Sequence, residues 1–137
     1  MSFQVVEPGQ LIRSLLTQNA PVVALLGYVE AGESKYRIYP LRAPQGTPFP
    51  YVCYQVISQN ADTSASCDLD DTARVQLSLF TQTYTEVCTL SQACRKALHR
   101  QRVDSVTIDL DQQLDHYSDP ALCYFRTQDY LLEGLES

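Results

Sequence analysis

The chain has 137 residues with 10 Lys and Arg against 16 Asp and Glu, a formal charge of −6. A length in the range of about 100–150 residues points to one domain covering residues 1–137, able to bury roughly 68–70% of its unfolded surface without disulfides or metals. The acid excess and the scattered basic residues speak against direct sequence-specific nucleic-acid binding, which needs clustered Lys and Arg to neutralise phosphates.

The 45% hydrophobic and 19% charged fractions are those of an ordinary globular protein. Nine tyrosines without a tryptophan favour half-buried strands and wet interfaces, because tyrosine joins an apolar ring to a polar tip. The five cysteines (Cys53, Cys67, Cys88, Cys94, Cys123) form no CxxC pair. The start MSFQVVEPGQ has neither a basic n-region nor an apolar signal core, and no apolar run approaches the roughly 18 residues of a membrane span. These features predict a cytosolic chain with reduced, mostly buried thiols and no membrane partner.

Residues 8–19 predict a first helix, with Pro8 in its first turn and Leu11, Ile12, Leu15 and Leu16 as one apolar stripe. Asn19 and Pro21 interrupt it. Val22, Val23, Leu25 and Leu26 predict a second short helical turn, with Gly27 as its C-cap. Residues 28–35 (YVEAGESK) read as a polar connection.

Tyr36–Tyr39 is a short β-type run that breaks at Pro40, and a loop follows with Pro44, Gly46, Pro48 and Pro50. Proline lacks an amide donor and fixes φ, so this loop cannot continue a ladder and is comparatively stiff. A stiff exposed loop loses little entropy on binding. Tyr51–Ser58 is apolar on both faces and predicts a central strand covered on both sides.

Residues 59–71 (QNADTSASCDLDD) predict a solvated loop; DTSASCDLDD lacks the alternating oxygens and central glycine of a calcium loop. Residues 73–82 alternate, with Val75, Leu77 and Leu79 on one face and Arg74, Gln76, Ser78 and Phe80 on the other. Thr83 and Glu86 fit a capping box, and Val87, Leu90, Ala93, Cys94, Ala97 and Leu98 line one side of a helix ending near His99 or Arg100. The basic cluster Arg95, Lys96, Arg100 and Arg102 suits that helix's C-terminal dipole.

Val106, Ile108 and Leu110 alternate in a further strand, and QQLDHYSDP reads as a polar turn ending at Pro120. In the last strand, Leu122–Leu132, Tyr124, Arg126, Gln128 and Tyr130 share one face and Cys123, Phe125, Thr127 and Leu131 the other. The expected class is therefore α+β: a mostly antiparallel sheet of 4–5 strands with two main helices packed on one face.

No constellation of catalytic residues emerges. Cys94 and His99 lie five apart on one helix and point away from each other, and Cys88 and Cys94 are not a helical ligand pair. Cys123 with His116 across a turn remains open, with core packing the simpler role for the thiol. Asp109 and Asp111 resemble an acid/base pair only superficially, since alternation puts them on the solvent face. Neither a Gly-rich phosphate loop, GxSxG nor HExxH occurs. The residues by themselves give no enzyme and no cofactor or metal site.

IYPLRAPQGTPFPYVCYQVIS, preceded by the helix ending in PVVALLG, resembles the tail-completion (tail-terminator) proteins of long-tailed bacteriophages and prophages. Two further passages agree: RVQLSLFTQTYTEVCTLSQACRKAL, a strand leading into a helix, and CYFRTQDYLL, a closing strand with an Arg–x–x–Asp–aromatic segment. The resemblance spans roughly residues 8–132, and the extra YVEAGESKY before the proline loop departs from the pattern.

The resemblance implies a structural virion-assembly protein without catalytic residues. It would act as a ring, commonly a hexamer, that caps the tail tube, ends its polymerisation and joins the tail to the head connector. Its partners would be further copies of itself, the phage tail tube protein and a head connector or neck protein. It would be found in the bacterial host cytoplasm during assembly, then at the head-proximal end of the virion tail.

On that reading we expect contact roles for Arg42, Pro44, Gln45, Thr47 and Phe49 in the proline loop, and for Asp62, Asp68 and Asp70 in the loop 59–71. A head-closure or neck component is the alternative within assembly proteins. A small cytosolic ligand-binding α+β domain is the alternative from another class.

Overall fold

The computed structural model describes residues 6–61 and 71–135. The N-terminal helix is α1 (Pro8–Thr17), with Ile12 and Leu16 fully buried. It stops where Asn19 begins a new helix: the Asn19 side chain accepts the Val22 N–H at 3.2 Å and caps α2 (Ala20–Leu26), whose second residue is Pro21. The cap and the proline together separate the two helices.

Gly27 caps α2 in an extended conformation and opens a hairpin instead of a connection. Its strands are β1 (Gly27–Glu30) and β2 (Glu33–Tyr36), closed at the Glu30–Glu33 pair by a two-residue turn. Ala31 (φ 53°) and Gly32 (φ 79°) both adopt the left-handed region, as a type I′ turn requires. The polar sequence concealed this hairpin because its strands bury almost nothing.

The main sheet holds β3 (Ile38–Pro40), β4 (Tyr51–Asn60), β5 (Thr72–Thr81), β6 (Gln101–Val103), β7 (Val106–Ser118) and β8 (Cys123–Glu133). Their order is β3-β4-β5-β8-β7-β6. All pairings are antiparallel except β3–β4, which runs parallel from Ile38 opposite Val52. The fold is α+β as expected; among the described residues the main sheet has six strands in place of four to five, and there are three helices.

Helix α3 (Tyr84–Leu98) starts at the predicted capping residue: Thr83 Oγ1 accepts the Glu86 N–H at 3.2 Å and bonds the Glu86 carboxylate at 3.1 Å. It packs on β5, β7 and β8, while α1 packs on β4 and β5. The core lies between these helices and one sheet face, where Val75, Leu77, Leu79, Tyr130 and Leu132 meet Ile12, Leu16, Val87, Leu90 and Leu98.

Two strand expectations need correction. β4 is not covered on both sides: Val52 and Cys53 are buried, but everything from Gln55 to Asn60 is exposed. QQLDHYSDP is not a turn, because β7 runs on to Ser118 and pairs with β8 throughout. A bulge between Leu110 and Gln112 inserts one residue and resets which side chains face the helices, which erased the alternation that marks a strand.

Candidate functional site

The proline loop leaves β3 at Pro40 and returns to start β4 alongside it. Leu41 takes φ 65° and its N–H donates to the Tyr54 carbonyl at 2.8 Å; the Arg42 N–H donates to the Pro40 carbonyl at 2.7 Å. A tight turn spans Pro44–Thr47, in which the Thr47 N–H and hydroxyl both donate to the Pro44 carbonyl, at 3.2 and 2.6 Å. Gly46, third in that turn, has φ 83°, the left-handed value a type II turn demands. The predicted stiffness thus has a structural basis in hydrogen bonds as well as in prolines.

Behind the loop, Tyr39 is half-buried, and its phenol is pushed above its ordinary pKa by burial and by neighbouring Tyr28. The Arg37 guanidinium lies 5.1 Å from the Tyr28 ring centre. These contacts join the β1–β2 hairpin to the loop.

The loop overhangs the sheet face that the helices leave open. Tyr51 opposes Phe80 across β4–β5, Phe80 opposes Phe125 across β5–β8, and Phe125 opposes His116 across β8–β7. Their rings, with Phe49 added from the loop, form one stacked row with centroid spacings of 5.5, 4.8, 5.2 and 4.6 Å. Each such pair contributes about 0.5–1.5 kcal/mol beyond its burial.

Between loop and row lies a cavity of about 320 Å³ lined by Leu41–Thr47, Tyr51, Cys53, Ser78 and Phe80. Arg42, Ala43, Pro44 and Gln45 also line a second depression of about 480 Å³.

The other end of the open face is charged. Arg74 bonds Asp111 at 2.9 Å and Asp129 at 3.1 Å, and Gln76 Nε2 donates to Asp129 at 2.9 Å. Asp111, expected to be hydrated, is an ion-pair partner. The Arg–x–x–Asp segment of β8 is split by the pleat: Asp129 serves this network, while Arg126 points under α3.

Among the described residues, the thiols of Cys53, Cys94 and Cys123 are buried packing groups. Burial pushes Cys94 up to about 12 and also raises Cys53 and Cys123, which disfavours the nucleophilic thiolate. His99 Nδ1 accepts the Leu110 N–H at 2.9 Å, and His116 is stacked on Phe125 and lies 3.3 Å from the Thr127 hydroxyl. Among the described residues, no group of three or more His, Cys, Asp or Glu is placed to hold a metal ion, and no helix is long and apolar enough to cross a membrane.

Of the residues singled out in the sequence, Arg42, Pro44 and Gln45 are exposed and Thr47 and Phe49 half-buried, all on one loop. Asp62, Asp68 and Asp70 lie outside the described residues. Phe80, Phe125 and His116 were missed as members of the same surface. A signal for the first two was present: Phe80 lies near the end of β5 and Phe125 near the start of β8, so antiparallel pairing brings them together.

A sequence profile of the family described as "Tail completion protein gp17" matches residues 10–128. The chain belongs to this family. Tail completion proteins are structural components of bacteriophage virion assembly, and the matched span includes the proline loop and three of the four β-strand aromatic-row residues' strands in full (β4, β5 and β7). A chain from a structure entitled "Virion of native gene transfer agent (GTA) particle" has the same fold, with a TM-score of 0.68 at 15% identity over 95% of each chain. No curated protein sequence matches the chain.

Proposed function

We propose that this tail completion protein acts as one α+β domain that caps the tail tube as a closed ring, with six copies as the working number. The ring ends tube polymerisation and joins the tail to the head connector, a structural role without catalysis. The observation that carries this reading is the family match over residues 10–128. The exposed, internally bonded proline loop supports it, because such a loop offers a contact surface that loses little entropy on docking.

In this reading Arg42, Pro44, Gln45, Thr47 and Phe49, with Asp62, Asp68 and Asp70, meet ring neighbours or the connector. Assembly takes place in the host cytoplasm, and the ring ends at the head-proximal tip of the tail. Electron microscopy of particles made without this protein tests it. Overlong tails beside separate filled heads are expected. Tails of normal length would overturn termination, and normal tails with leaking heads would assign the chain to head closure instead.

A further inference from the structure

The main sheet has two edges, and both are left partly bare. On one side β3 pairs with β4 only across Val52–Tyr54, so Gln55–Asn60 has no outer backbone partner among the described residues. On the other side β6 pairs with β7 only across Val106–Ile108. His99 then accepts the Leu110 N–H, and from Asp111 to Ser118 the outer edge of β7 again has no backbone partner among the described residues.

Isolated edges invite pairing, and proteins that stay monomeric blunt them with Pro, Lys, bulges, inward charge or a covering element. One bulge interrupts each margin, at Val56–Ser58 on β4 and at Leu110–Gln112 on β7, which leaves Ser58–Asn60 and Gln112–Ser118 as regular ladder. QVISQN and DQQLDHYS contain no Pro, Lys or Gly. The two acids of the β7 segment do not guard it, because Asp111 is held by Arg74 and Asp115 by Arg126. Both segments instead expose apolar side chains: Val56 (39%) and Ile57 (45%) on β4, Leu114 (48%) and Tyr117 (50%) on β7.

We infer that the occupant of each edge is a second copy of this chain: β4 residues 55–60 of one subunit pair with β7 residues 111–118 of the next. A closed ring requires a heterologous contact in which two different patches meet. The opposite margins of one sheet are such a pair, and each is used once per subunit. The ring would then carry its sheet from copy to copy with neither margin left bare. This inference rests on the ring reading above and gives that ring its contact.

Two variants test it, Ile57→Lys at the bulge residue of β4 and Leu114→Lys opposite Thr127 on β7, each placing the residue that natural edges use for protection at an exposed site. Circular dichroism and melting temperature establish that both remain folded. By light scattering and native mass spectrometry, the wild type is expected to form closed oligomers. Each variant alone should self-associate at least about tenfold more weakly.

Mixed together, the two variants should form a one-to-one dimer, because each retains the edge that the other needs. Oligomers formed equally well by both variants would overturn the edge pairing while leaving the ring intact. Homodimers of Ile57→Lys alone would show a symmetric β7–β7 contact and overturn it too. A wild type that stays monomeric at every concentration also overturns it, and the tail-length measurement then decides the terminator reading by itself.

Discussion

Arg126 and Asp115 stand directly opposite each other across the β7–β8 ladder, and the Arg126 Nε donates to the Asp115 carboxylate. The same guanidinium donates to Ser91 Oγ on α3 at 2.6 Å and to the Tyr84 hydroxyl at 3.1 Å. Arg126 is only 8% exposed and its partner Ser91 is buried, so losing the guanidinium removes a charge-assisted donor from a desolvated hydroxyl. Arg126→Met should lower the unfolding free energy by about 2–3 kcal/mol in urea titration. Arg126→Lys should recover little of it, since an ammonium cannot reproduce the planar fork.

The same pair sets a pH dependence. The Asp115 carboxyl is held below its usual range, first by the Arg126 hydrogen bond and then by the Tyr84 hydroxyl. A folded pKa below the unfolded one gives stability that is complete above the ordinary carboxylate range and lost as pH falls through the lowered folded value. The stability gap between wild type and Asp115→Asn should therefore hold steady near neutrality and close on acidification. Because Asp115 is half exposed, solvent screening keeps the amplitude modest. Parallel stability–pH curves for the two proteins would refute this account.

Ala31 occupies the first position of the type I′ turn with φ 53°, a conformation that disfavours residues bearing an ordinary Cβ. Asparagine tolerates it and forms the preferred Asn-Gly pair with Gly32. Ala31→Asn should raise stability by about 0.5–1 kcal/mol, read as a higher melting temperature. A lower one would contradict the turn assignment.

Gly134 stands just past β8 with φ 80°, where a Cβ would come within 2.1 Å of the Ser105 carbonyl oxygen. Both the left-handed backbone and the collision oppose a side chain. Gly134→Ala should cost at least about 2 kcal/mol in the same titration.

Arg42 is exposed on the proline loop, so its charge can be reversed without touching the core. Arg42→Glu should melt within about 2 °C of the wild type, as surface changes stay near ±0.5 kcal/mol. It should nonetheless reduce the yield of joined heads and tails in a complementation assay. Undiminished yield would remove Arg42 from the contact surface.

The parts of the fold legible in the sequence are those in which burial writes a period. β5 buries Ala73, Val75, Leu77 and Leu79 in strict alternation, and α3 announces itself through Thr83, Glu86 and an apolar stripe. Elements held mainly by ladder hydrogen bonds were not legible. Gln112–Tyr117 is exposed on both faces, the β1–β2 hairpin is mostly exposed, and β3 is three residues long. Backbone hydrogen bonding leaves no mark on side-chain choice, so polar strands read as turns. At the candidate site the loop was legible through its prolines. The aromatic row was not, because it assembles only when β4, β5, β8 and β7 come into register.

The polar layer beneath α3 also acts as a proofreading device. Gln128 is fully buried, donating to the Ser91 carbonyl at 3.1 Å and to Gln113 at 2.8 Å, and accepting from the Tyr130 hydroxyl at 2.8 Å. A slip of β8 by one residue would bring Thr127 and Asp129 under the helix in place of Arg126 and Gln128. The Asp129 carboxylate would then meet the Ser91 carbonyl, and Arg74 would lose one of its anions. The backbone ladder along Gln112–Ser118 could accept that slip almost without cost; the buried polar groups could not. The chain thus rejects a misaligned hairpin through the cost of unmatched polar atoms along Gln112–Ser118, and through the loss of Tyr130 and Leu132 from the core at the other end of β8.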